Sequence, residues 1–73
     1  MHYFYDVTFR YEVKFGIYHN TECVEVIAIT ETQALASALA AALQRRHKHG
    51  RIIKIELVKI CDNMGMATYE KGR

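Results

Sequence analysis

A chain of 73 residues is long enough for one domain, and a single core of that size leaves only a small margin of stability. Ten lysines and arginines against eight acidic residues give a net charge of +2, which neither requires nor excludes a nucleic-acid partner. No apolar run approaches the roughly 20 residues that cross a bilayer, so the sequence predicts no transmembrane segment.

The first predicted element is a strand over about residues 3–13. Large apolar side chains occupy the odd positions and mostly polar ones the even positions, and a strand turns successive side chains to opposite faces. This strand therefore has one polar face and one apolar face, the latter formed by Tyr3, Tyr5, Val7, Phe9, Tyr11 and Val13.

A hairpin connection and a second strand are predicted next. Glycine and asparagine interrupt the alternation between residues 15 and 21, as they do in turns. The second strand covers about residues 22–29. Its valines share one face, whereas Ile27 and Ile29 fall on the other, which indicates a bulge or burial on both sides.

The third element is predicted to be a helix over about residues 31–47. Thr30 and Gln33 fit a capping box at its start, in which Gln33 reaches back to the amide of residue 30. Leucine recurs at every fourth position among alanines, and this stripe is expected to face the sheet. Gly50 is expected to end the helical region in a left-handed conformation.

A last strand is predicted over about residues 51–61, with Ile53, Ile55 and Leu57 on one face. The resulting single domain comprises residues 1–62. Residues 63–73 form a polar tail or a short fourth strand.

These elements predict an α+β fold of ββαβ order. It is a two-layer sandwich in which one helix covers one face of an antiparallel sheet with strand order 2-1-3. Burying each large core side chain contributes about 1.5–3 kcal/mol, so Leu39→Asp is expected to unfold the domain. The predicted core comprises Val7, Phe9, Val26, Leu35, Leu39 and Ile55.

The second face of the sheet is predicted to stay uncovered, unless bulges turn its side chains inward. Its apolar content is higher than a solvated face needs, which is typical of an interface. That face would carry Phe4, Thr8, Arg10, Glu12, Ile27, Ile29, Val58 and Ile60. With a contact element at the hairpin tip, the candidate protein-interface residues are Phe4, Ile17, Tyr18, Ile27, Ile29, Val58 and Ile60.

A basic segment follows the helix and offers a second kind of site. Its cations could hold phosphate oxygens, although cations also favour a solvated helix end for electrostatic reasons alone. The candidate phosphate-binding residues are Arg45, Arg46, Lys48 and Arg51.

Residue types and spacings indicate no catalytic or metal site, and no cofactor is expected. His47 and His49 are two residues apart, which does not place them on one helix face. The only serine, Ser37, has no base near it in sequence. Two carboxylate pairs, Asp6 with Glu12 and Glu25 with Glu56, are better explained as strand carboxylates paired with lysines. The two cysteines, without a secretory signal, favour a reduced intracellular setting.

Two resemblances bear on function. Residues 26–40, a valine-x-alanine strand end, a polar cap and an alanine-rich helix, resemble small ββαβ accessory proteins of phages and mobile elements. That resemblance implies modulation of a host protein by direct binding, without chemistry. The layout of Arg46-His47-Lys48 and Ile53-Lys54-Ile55 is also similar to a small archaeal ribosomal protein family, from which this chain departs by its low charge and non-basic tail.

The sequence therefore favours a non-enzymatic, cytoplasmic binding protein that acts by protein–protein contact, with a host protein or with a second copy of itself. The alternative is a nucleic-acid-binding module that uses the basic turn at residues 45–51.

Overall fold

The computed structural model describes residues 1–45 and 50–72. It contains, in chain order, strand β1 (His2–Val13), strand β2 (Gly16–Ile27), helix α1 (Glu31–Arg45), strand β3 (Gly50–Cys61) and strand β4 (Ala67–Glu70). The strands form one antiparallel sheet in the order β2-β1-β3-β4, and the helix packs on one side of it. The α+β prediction is confirmed, and β4 extends the predicted three-stranded order.

The longest and most regular strand lies inside the sheet, because β1 pairs with β2 on one side and with β3 on the other. Its odd-numbered side chains from Tyr3 to Tyr11 are all buried. We call the side of the sheet that bears them and the helix the helix face, and the opposite side the back face. Period-two alternation in the sequence therefore assigns the two faces of β1 correctly.

The described part of the tail pairs with the edge of the sheet as β4. Asp62 shapes the turn before β4, because its Oδ1 accepts hydrogen bonds from the amides of Met64 (2.8 Å) and Met66 (2.9 Å). Gly65 adopts a φ of 85° in this turn, a conformation that glycine tolerates best. Of the two predictions for the tail, the short fourth strand is the one observed.

The start of α1 has the two capping hydrogen bonds that were predicted, but one of them involves the amide one residue earlier than expected. The amide of Gln33 donates to Thr30 Oγ1 over 3.2 Å, as a capping box requires. The Gln33 side chain accepts from the amide of Ile29 over 3.0 Å, and not from that of Thr30. The first contact satisfies an amide that the first helical turn would leave without a partner, and the second satisfies the amide of the residue before the cap.

The prediction that the leucines of α1 face the sheet is wrong. Ala34, Ala38 and Ala42 are fully buried, whereas Leu35 and Leu39 are 43% and 41% exposed. The sheet below is lined with bulky rings, among them Tyr5 and Phe9, and these fill the space under the helix. Only a side chain as small as alanine fits beneath a helix that approaches such a surface closely.

The rest of the core follows the prediction more closely. Val7 and Phe9 are fully buried, and Val26 and Ile55 pack against the core while remaining partly exposed. Val24, which was not among the predicted core residues, is fully buried as well.

Two irregularities in β3 alter the predicted faces of that strand. The pairing with β1 shifts between Thr8 and Phe9 and again between Phe4 and Tyr5, which leaves Ile53 and Val58 as the extra residues. Ile53 is therefore exposed rather than part of the core face. Ile60 pairs with Tyr3 and packs on the helix face, so its predicted place on the back face is wrong.

Gly50 has a different role from the one predicted. It is the first residue of β3 and pairs with Tyr11, and its φ is not positive. A Cβ atom at this position would lie 2.5 Å from Cε1 of Tyr11, so the ring rests directly on the glycine backbone. Glycine is needed at position 50 because the Tyr11 ring occupies the space that a side chain would take.

Candidate interaction surfaces

The back face carries alternating charges rather than an apolar patch. His2 Nδ1 lies 2.8 Å from a carboxylate oxygen of Glu25, and Arg10 lies 3.3 Å from Glu12. Glu56 pairs with Lys54 at 3.8 Å and also with Lys71. The Lys71 ammonium, which donates a hydrogen bond to Glu56, holds the pKa of this carboxyl below its ordinary value. The prediction that these carboxylates pair with basic side chains holds for Glu12, Glu25 and Glu56, although among the described residues only Glu56 has lysine partners.

The predicted back-face residues are only partly brought together. Phe4 lies on this face beneath the ammonium of Lys59, which is 5.7 Å from the ring centroid. Ile27 pairs with His2 at the end of the sheet opposite the hairpin turn, and it is exposed. Ile29 follows strand β2 and is also exposed. With Val58 in a bulge and Ile60 on the other side, these residues do not form one continuous apolar surface.

The tip of the β1–β2 hairpin extends beyond the part of β3 that the structure describes. Among residues 1–45 and 50–72, the last pair between β1 and β3 is Tyr11 with Gly50, and residues 12–17 form the end of the β1–β2 hairpin, which Lys14 and Phe15 close. Twelve-residue strands span about 40 Å, and the 15-residue helix spans about 22 Å, so the helix cannot cover their full length. The turn was predicted at residues 15–21, but the observed turn is shorter and consists of Lys14 and Phe15.

The end of the hairpin exposes large apolar side chains, and we call residues 12–18 the hairpin end. Phe15 is 92% exposed, Ile17 56% and Val13 51%. Tyr18 is half exposed, and its ring stacks on Tyr11 with centroids 4.9 Å apart. Tyr18 therefore has a partner within the domain, and this stack anchors the base of the hairpin end to the core.

The predicted basic site is not assembled by the described residues. The Arg45 guanidinium, on the helix face, donates to the backbone carbonyl of Cys23 over 3.3 Å. Arg51 pairs with Arg10, whose side chain belongs to the back face. These two cations therefore lie on opposite sides of the sheet, while Arg46 and Lys48, with His47 and His49, fall outside the described residues.

A shallow pocket of about 340 Å³ opens on the back face beside the β3–β4 turn. The His2–Glu25 pair and Cys61 contribute to its walls, and Cys61 is the cross-strand neighbour of His2. Among the hydrogen bonds of the described residues, none joins the thiol to the imidazole. Cys61 and Cys23 are free thiols on strands separated by β1, as the strand order predicts.

Within residues 1–45 and 50–72, no group of three or more histidine, cysteine or acidic side chains is arranged to hold a metal ion. The same part of the chain contains no helix with the length and apolar character needed to cross a membrane.

One surface was missed by reasoning from the sequence. Leu35, Leu39 and Leu43 are 41–46% exposed along one side of α1. Beside the helix, the helix face of β3 presents Ile55, Leu57 and Ile60, each only partly buried. We call these six residues the neutral face. The signal was present in the sequence, because residues 32–44 contain no charged side chain, which is unusual for a helix with a solvated side.

Comparison of the chain with known protein families, characterised proteins and solved structures gave no match.

Proposed function

We propose that this chain is a small non-enzymatic binding protein that acts by protein–protein contact through its hairpin end. The observation that carries the proposal is the exposure of Val13, Phe15 and Ile17 on a hairpin end that extends past the described part of β3. Apolar side chains concentrated on a projecting element are typical of interaction sites. In keeping with the resemblance of residues 26–40, the role proposed is that of a phage or mobile-element accessory protein that modulates a host factor in the cytoplasm.

The structure of the hairpin end suits such a contact. Twelve paired residues on each strand hold the hairpin in a defined direction. The Tyr11–Tyr18 stack and the packing of Tyr11 on Gly50 tie its base to the core. Because the hairpin is ordered before binding, little conformational entropy is lost when a partner docks.

The proposal is tested by photo-crosslinking in host lysate with a light-activated amino acid at position 15. The matched position is Thr21, which is exposed on the same hairpin but outside the hairpin end. We expect a discrete protein adduct from position 15 and not from position 21, and loss of that adduct when Ile17→Asp is added. Equal adducts from both positions, or an adduct unaffected by Ile17→Asp, would contradict the proposal.

Nucleic-acid binding is a separate outcome that fluorescence anisotropy detects. A module that neutralises phosphates binds mixed single- and double-stranded probes at low salt, and its affinity falls steeply as salt is raised. The proposed protein-binding function predicts no such salt-dependent binding. Binding that is lost in an Arg45→Ala/Arg51→Ala double variant would instead favour the basic turn.

A further inference from the structure

We propose that the neutral face is the interface of a homodimer, so that two copies of this chain associate through their helices. The neutral face is the flank of α1 with Leu35, Leu39 and Leu43 together with the neighbouring Ile55, Leu57 and Ile60 of β3. This surface lies on the opposite side of the sheet from the ion pairs of the back face, and the inference does not depend on the hairpin end.

The geometry of α1 places the leucines beside an apolar part of the sheet. Each leucine follows a buried alanine by one residue, so the leucine stripe is turned by about 100° from the direction of the sheet. The connection from β2 through α1 to β3 links two parallel strands of one sheet, and such crossovers are nearly always right-handed. In a right-handed crossover that flank of the helix is directed over β3, whose side chains there are isoleucine and leucine.

The exposed area of the whole chain is larger than that of a compact monomer. The chain exposes 5303 Å², and a compact monomer of 8.5 kDa is expected to expose about 4,700 Å². The excess of about 600 Å², to which the exposed hairpin end also contributes, is of the same order as the ~800 Å² that each partner buries in a standard interface. The domain is also only 16 Å across its thinnest dimension, so the single helix layer leaves much of the core side partly open.

The charge distribution favours a second copy as the occupant. A two-fold interface sets a patch against its own copy, so any charge within it faces a like charge. Residues 32–44 carry no charge, and neither do the residues that β1 and β3 place on the helix face. A surface that recruits a charged partner needs complementary charge, whereas a neutral surface is compatible with itself.

The test is the mass in solution by sedimentation or light scattering over a wide dilution series. We expect twice the chain mass of 8.5 kDa for the wild type. Leu39→Glu, which brings like charges together across the two-fold axis, is expected to give the monomer mass with a native circular dichroism spectrum. The matched control is Ile27→Glu, an exposed isoleucine on the back face, which is expected to remain dimeric.

A wild-type chain that is monomeric at every concentration would overturn the proposal. A dimer that survives Leu39→Glu but dissociates with Ile27→Glu would overturn it too, in favour of the back face. If Leu39→Glu fails to fold, Leu43→Glu in the last helical turn replaces it. Measurements on the wild-type chain alone also test the proposal, because the melting temperature of a dimer rises with protein concentration and that of a monomer does not.

Discussion

The alanine and leucine stripes of α1 share one helix and one apolar character, yet they have opposite environments. Ala34, Ala38 and Ala42 are fully buried, and Leu35, Leu39 and Leu43 are 41–46% exposed. The two stripes differ in how close they lie to the sheet. Tyrosine and phenylalanine rings of the sheet already fill the space beneath the helix, so only the small alanines fit there. The comparison teaches that side-chain volume, and not hydrophobicity alone, decides which stripe of a helix packs against an aromatic sheet.

The largest expected effect comes from placing a carboxylate in each stripe in turn. Ala38→Asp buries a charge without a partner among packed rings, and we expect the domain to unfold. Leu39→Asp leaves the charge in contact with water, because Leu39 is 41% exposed, so the unfolding expected from the sequence is replaced by the expectation that the chain keeps its secondary structure. Circular dichroism and urea unfolding measure both variants. Loss of structure in Leu39→Asp with retention in Ala38→Asp would restore the leucines to the core.

A second close approach tests the same rule away from the helix. Gly50→Ala directs a methyl group to 2.5 Å from the Tyr11 ring, which must then shift. We expect a loss of about 1–3 kcal/mol in the free energy of unfolding, as for other overpacked positions. The double variant Gly50→Ala/Tyr11→Ala relieves the clash, so the alanine at position 50 should cost much less in that background. Equal costs in both backgrounds would show that the ring is not the obstacle.

Tyr5 lies under the helix, and its hydroxyl is buried without a hydrogen-bond partner among the described residues. Tyr5→Phe removes this polar group and keeps the ring, so we expect a gain of roughly 1 kcal/mol in unfolding free energy. Burial, with a smaller contribution from Glu31, raises the pKa of Tyr5 above 10.0. Because the folded state disfavours the phenolate, wild-type stability should fall as the pH rises above about 10, and that of Tyr5→Phe should fall less. Urea unfolding at neutral and alkaline pH checks both statements.

We expect the smallest effect from a substitution on the back face, where α1 does not pack against the side chains. Lys71→Ala removes the hydrogen bond that lowers the pKa of Glu56, so this pKa should rise toward 4.5. The stabilising contribution of a carboxyl with a lowered pKa is present above its unfolded value and is lost as the pH falls through the folded one. Carboxyl chemical shifts measured during an acid titration report the change. Lys14→Ala, which lies beside Phe15, should leave the Glu56 titration unaltered.

Local patterns allowed most elements to be predicted, since period-two alternation marks β1 and the Thr30–Gln33 cap marks the start of α1. The bulges of β3 were harder to predict, because an extra residue is visible only once the pairing with β1 is known. Ile17 and Tyr18 of the hairpin end were predicted to be contact residues, but Phe15 at its tip was assigned to a longer turn. The neutral face was overlooked because its leucines were placed in the core.

The sequence by itself determined the order of the elements, the buried side of β1 and the absence of charge along residues 32–44, because each depends on neighbours along the chain. Tertiary structure alone decided which stripe of α1 meets the sheet, where the helix face remains open, and that Gly50 makes room for Tyr11. Those outcomes depend on how closely distant segments approach, and that distance is set by side chains that lie far apart in the chain and adjacent only in the fold.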